Sequence, residues 1–84
     1  MSVARAETVS LQDEVREIVA SNLRALMARR RVTATHMAKE LGVSQPSMSR
    51  RLNGQQALDV EELVWLADYF EVPVATLLDG VRSR

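Results

Sequence analysis

The side chains best suited to specific chemistry in this chain fall between residues 45 and 50. Gln45, Pro46, Ser47, Ser49 and Arg50 are short or hydrogen-bonding, and Met48 is the one large apolar residue among them. Presented outward from a helix, such a set fits the major groove of a DNA duplex. There a Gln amide pairs with adenine N6 and N7, and an Arg fork pairs with guanine O6 and N7. Other chemistries lack their parts. Cys is absent, so disulfides, thiolate nucleophiles and thiolate-bound zinc are excluded. His36 is the single His, so a metal site within one chain would need carboxylates for the rest. Glu61 and Glu62 are neighbours that point to different faces of a helix, which leaves no carboxylate pair for acid–base work. Neither a nucleophile–base set nor a Gly-rich phosphate loop is present. The chain is therefore expected not to be an enzyme, and to need no cofactor, metal or small-molecule ligand.

Charge is distributed in blocks. The chain has 11 basic and 11 acidic side chains and no net charge. Residues 24–56 nevertheless carry seven bases against the single acid Glu40, and residues 57–79 carry six acids and no base. The basic stretch is either a solvated face or a stripe that attracts phosphates. The acidic stretch reads as a solvated face that keeps nucleic acid off that side.

These residues need elements to hold them. Eighty-four residues make one domain. At 46% apolar and 26% charged, the chain has the composition of a soluble globular protein. Trp65, Tyr69 and Phe70 are its three aromatics, too few for a β-sandwich or barrel, and no alternating runs occur. No apolar stretch approaches the ~20 residues of a membrane span, and residues 1–10 lack a signal-peptide core, so a cytoplasmic protein is expected.

The apolar periodicity predicts five helices and no strand. Leu11, Val15, Ile18, Val19, Leu23, Leu26 and Met27 share one helical face, so a first helix is expected from an N-cap at Ser10 to about Arg30. Residues 1–10 then form a flexible arm, residues 11–79 the folded domain, and residues 80–84 a tail. Thr33 caps a second helix over 34–41, ended by Gly42. Ser44 caps a third over 45–52, with Pro46 in its first turn and Asn53-Gly54 as its stop. Asp59 with Glu62 reads as a capping box for a fourth helix, and a short fifth runs over 74–79. Leu23, Met37, Ala38, Val43, Leu52, Leu63, Leu66 and Leu77 are the expected core. Helices two and three, joined by Gly42, Val43 and Ser44, form a helix-turn-helix.

Three stretches carry a family resemblance. They are MAKELGVSQPSMSRRLNG (37–54), LDVEELVWLADYFEVPVATLL (58–78) with its Phe-x-Val-Pro-Val-x-x-Leu-Leu ending, and NLRALMARRRVT (22–33) before them. Together they resemble the lambda-repressor-like helix-turn-helix family, of the Cro/CI or XRE type, over about residues 15–79. The resemblance implies a compact all-α, five-helix DNA-binding domain with the third helix in the major groove. Gln45, Pro46 and Arg50 would read base edges, with Ser47 and Ser49 beside them. Asn53 would hold a phosphate, and Thr33 to Thr35 would approach the DNA backbone with their N–H groups. Arg30, Arg31, Lys39, Arg51 and Gln55 complete the expected phosphate contacts.

The chain departs from the family pattern at three places. Ala34 stands where a Gln often bridges phosphate and recognition helix. Arg51 takes a usually apolar position and Leu52 a usually polar one, so either the third helix is rotated or Arg51 snorkels to a phosphate. Pro46 offers a base only its shape. Elsewhere the readings stay open. His36 is expected to be exposed and within reach of a phosphate. Arg29 to Arg31 either flank the DNA backbone or steady a helix end, and their basic neighbours favour the first. Trp65 either packs on the first helix or joins a subunit interface. Relatives of this type often dimerise near the fifth helix, here through Val72, Val74 and Leu78 with Trp65 beside them. A weak or DNA-dependent homodimer is expected.

The expected function is a sequence-specific double-stranded DNA-binding regulator, a repressor of phage or small bacterial type. With no room for a sensing domain in 84 residues, control would come from concentration, partner proteins or the arm. The alternative is an interaction module of the same fold, such as an antitoxin, for which the spare residues 1–10 and 80–84 offer little toxin-covering length.

Overall fold

The structure is a computed structural model that describes the backbone of residues 2–81 and the side chains of residues 11–81. Five helices follow in order: α1 (Ser2–Arg30), α2 (Ala34–Leu41), α3 (Gln45–Leu52), α4 (Val60–Phe70) and α5 (Val74–Leu77). No strand occurs among the described residues. The chain is an all-α helix-turn-helix domain, as its periodicity predicts.

Three helix starts follow from single side chains. Thr33 accepts from the His36 N–H at 3.1 Å and Ser44 from the Ser47 N–H at 3.2 Å. Asp59 accepts from the Glu62 N–H at 2.7 Å, and Glu62 accepts from the Asp59 N–H at 3.2 Å, which completes the capping box. Gly42 closes α2 at φ +81°, in the left-handed region that favours Gly, and the Val43 N–H reaches back to the Ala38 carbonyl at 3.0 Å. Two other helix ends make the same turn without a Gly. Arg31 after α1 has φ +57° and Glu71 after α4 has φ +59°.

Packing centres on Leu23, Met37, Met48, Leu66, Phe70 and Leu77, all fully buried. Of the expected core, Ala38 and Leu52 are also buried, while Val43 and Leu63 are half-buried against it. α2 packs on α3, α3 on α1, α4 on α5, and α5 returns to α1. The Asn22 amide fastens that return by donating to the Leu77 and Asp79 carbonyls at 2.8 and 2.9 Å.

The first helix differs from expectation. It begins at Ser2, so Ser10 lies inside it and is not its N-cap, and the expected arm is helical backbone. Neither Gly nor Pro interrupts residues 1–30, and Ala, Glu, Gln and Arg there favour helix. Its 29 residues span about 43 Å. That matches the longest dimension of the molecule, 43 Å. Leu11 is accordingly not core: it is 48% exposed, and Gln12, Asp13 and Glu14 beside it are exposed too. At the other end α5 stops at Leu77, and residues 78–80 continue only as turn. Of the expected tail, residues 82–84 lie outside the described residues.

Candidate nucleic-acid interface

The outward face of α3 consists of Gln45, Pro46, Ser49 and Arg50, all exposed, with Asn53 continuing the row past the helix end. Met48, Arg51 and Leu52 form the buried side. Ser44 sets where the helix begins, and Pro46 sits in the first turn, where its missing N–H breaks no bond. The turn at Gly42 brings α2 alongside. An open cleft between them is lined by Thr33, Thr35, His36, Lys39, Val43 and Gln45. Thr33, Thr35 and Lys39 are thus on one surface with Gln45, as their assigned roles require.

Two side-chain pairs steady this face. Asn53 Nδ2 donates to Ser49 Oγ at 3.3 Å, and Arg50 Nε donates to Gln56 Oε1 at 3.3 Å. The loop behind α3 is folded onto the same residues. The Gln55 and Gln56 N–H groups both donate to the Arg50 carbonyl, at 2.8 and 3.2 Å. Gln55 itself is exposed. His36 is exposed, as expected, with Nε2 3.8 Å from Glu40 on the next turn.

The geometry corrects two assigned contacts, Arg51 and Ser47, and gives a third residue, Arg30, a partner inside the domain. Arg51 does not reach toward phosphate. Its side chain is only 8% exposed, and Nη2 and Nε donate to the Glu62 carboxylate at 2.8 and 3.2 Å. Nη1 donates to the Ser47 carbonyl at 3.1 Å and also to the Ser47 hydroxyl. Burial explains the choice: an Arg on the inner face of α3 must find acceptors inside, and Glu62 on α4 supplies two. Ser47 is drawn along with it, half-buried and turned to Arg51, and so is not among the outward readers. Arg30, though exposed, is engaged within the domain, where Nη2 donates to the Phe70 carbonyl at 2.7 Å and caps α4. Arg29 and Arg31 remain exposed.

Sequence reasoning missed Arg24, which donates from α1 to the Leu52 carbonyl at the end of α3. It also missed Gln56. Neither position stands out by periodicity, because both act across elements. The proposed interface between subunits also divides. Val72 and Val74 are half-buried against the core, which reduces the surface they offer. Trp65 and Leu78 are each 37% exposed, and Trp65 stacks on Tyr69 with ring centroids 5.3 Å apart. Beside Trp65, Val60 and Val64 are 74% and 53% exposed on the same outward face of α4.

The family model of the BetR domain matches residues 14–83, which takes in α2 to α5 and most of α1. The chain belongs to the BetR domain family. BetR domains are small, helical, helix-turn-helix-like DNA-binding domains associated with transcription regulators. No curated protein and no solved structure matches the chain. For this BetR domain a DNA-binding regulatory role therefore agrees with the polar, acid-free face of α3. In the described residues, no helix is long and apolar enough to cross a membrane.

Proposed function

We propose that this BetR domain is a sequence-specific repressor of transcription, of the Cro/CI or XRE type found in phages and small bacterial regulators. It inserts α3 into the major groove of its operator and works in the cytoplasm, on the nucleoid when bound. One observation carries the reading. The exposed row Gln45, Pro46, Ser49, Arg50 and Asn53 is continuous with the cleft of Thr33, Thr35 and Lys39, and both lie in the basic stretch of the chain. Base-reading groups and phosphate-seeking groups thus share a surface, which is the division of labour a groove reader needs. Gln45 and Arg50 read base edges. Lys39, Arg31, Asn53, Gln55 and the first N–H groups of α2 hold phosphates. The domain acts by occupying DNA and performs no catalysis.

One α3 touches too few base pairs to find a single site in a genome, so two copies on an inverted repeat are expected, with half-sites about 34 Å apart. Of the residues assigned to that contact, Trp65 and Leu78 are the exposed ones, so little apolar area is on offer and pairing would be weak in solution and completed on DNA. Sedimentation with and without an inverted repeat checks this: two copies per repeat, reduced by Trp65→Ser, support it, and one copy per repeat contradicts it. A second reading, an antitoxin-like interaction module, draws on the exposed Val60, Val64 and Trp65 of α4.

A footprint on the DNA upstream of the protein's own coding sequence tests the main reading. A repressor of this kind protects a short site and shields guanine N7 atoms there from methylation in the major groove. Uniform coverage without a boundary, or methylation unchanged within the site, would contradict it.

A further inference from the structure

Arg50 has a hydrogen-bond partner outside its own helix. Its Nε donates to Gln56 Oε1 at 3.3 Å, six residues on, in the loop that leads to α4. Gln56 is itself held. Its backbone N–H bonds to the Arg50 carbonyl at 3.2 Å, beside the stronger bond from the Gln55 N–H at 2.8 Å. Its side chain is half-buried and lines a small apolar cavity with Val15, Val19, Leu58 and Leu63. The acceptor is therefore restrained on its own side, and the solvent-exposed bond it accepts favours one direction of the guanidinium.

We propose that Gln56 is a positioning residue that sets the guanine preference of Arg50; this rests on the proposed major-groove reading of α3. An unrestrained Arg must be ordered before its fork can match a base, and that ordering weakens the specific complex. With Nε engaged by Gln56, the Nη1 and Nη2 N–H groups remain available end-on, in the fork that pairs with guanine O6 and N7. A phosphate accepts Arg50 from many directions, so contact with random DNA gains little from the restraint. Gln56 thus contributes to discrimination rather than to general affinity. A loop residue enters the recognition code without touching a base.

The probes are a duplex selected by the wild-type protein from a random pool, and copies with 7-deazaguanine, which lacks the N7 acceptor, at each guanine in turn. Arg50→Ala identifies the guanine read by Arg50, as the position where the protein no longer distinguishes the two bases. Gln56→Met keeps the length and apolar packing but removes the strong acceptor. It is expected to lose about two- to twelvefold of the preference at that guanine, with binding to random DNA unchanged. Gln56→Glu restores an acceptor and is expected to keep the preference, at lower overall affinity. Each preference is a ratio within one protein sample, so it is insensitive to the fraction folded. A wild-type preference in Gln56→Met overturns the inference. A preference lost equally in Gln56→Met and Gln56→Glu overturns it too, because packing and not the hydrogen bond would be responsible. If Arg50→Ala loses no preference at any guanine, the failure lies with the major-groove reading of Arg50 instead.

Discussion

Arg51 has the most distinctive chemistry of any single residue in the domain. A guanidinium on the buried side of α3 is held by both oxygens of Glu62, while Glu62 also accepts from the Asp59 N–H. One carboxylate therefore caps α4 and locks it to α3. Removing the cation leaves a half-buried carboxylate without its partner, which costs on the order of 3 kcal/mol in comparable buried pairs. Arg51→Leu is expected to lower the melting temperature by several degrees. Its double variant with Glu62→Gln, which keeps a capping-box side chain, is expected to recover most of the loss. Thermal melts of the two variants check this, and a single variant as stable as wild type would show the pair to be idle. The position was readable as a departure from the family pattern, but its partner was not. Eleven residues separate Arg51 from Glu62, and no local rule connects them.

At the level of elements, what was legible was what depends on neighbours in sequence. Thr33, Ser44 and Asp59 each bond an N–H three residues on, so the starts of α2, α3 and α4 could be read directly. The left-handed closures at Arg31 and Glu71 gave no such signal, because neither is Gly or Asn. Each turn is closed by a local bond, from the Val32 N–H to the Met27 carbonyl and from the Val72 N–H to the Ala67 carbonyl, both at 2.9 Å, and Val32 and Val72 then pack against the core. A non-Gly residue there carries strain of about 1 kcal/mol. Glu71 is exposed and makes no side-chain cap, so Glu71→Gly is expected to raise the melting temperature by roughly 4–8 °C, less what Gly adds to the freedom of the unfolded chain. A lower melting temperature would mean that the Glu71 side chain contributes more than its backbone costs. The start of α1 was misread for the opposite reason. Ser10 is a good cap, yet nothing before it stops a helix, and continuation through it satisfies the same backbone groups.

For the molecule as a whole, the arrangement of charge matters more than its sum. A chain of no net charge keeps seven of its eleven bases between residues 24 and 56 and six of its eleven acids between residues 57 and 79. The structure refines which bases are free. Arg51 is buried against Glu62, and Arg24, Arg30 and Arg50, though exposed, each hold a hydrogen bond within the domain, to Leu52, Phe70 and Gln56, whereas Arg29, Arg31 and Lys39 are exposed. Each phosphate neutralised contributes about −0.9 to the slope of log affinity against log salt. Replacing Arg31 and Lys39 together by Gln is expected to flatten that slope by up to about two units, and Arg51→Leu to leave it unchanged. A slope altered by Arg51→Leu alone would place that residue back at the DNA.

The central claim is that α3 reads DNA through Gln45 and Arg50, and selection from a pool of random duplexes tests it most directly. The wild-type protein should enrich one short motif. Arg50→Ala and Gln45→Ala should each relax a different position of that motif, losing roughly 1–3 kcal/mol of discrimination there while binding to random DNA changes little. A motif identical in all three proteins, or no enrichment by the wild type, would contradict the account.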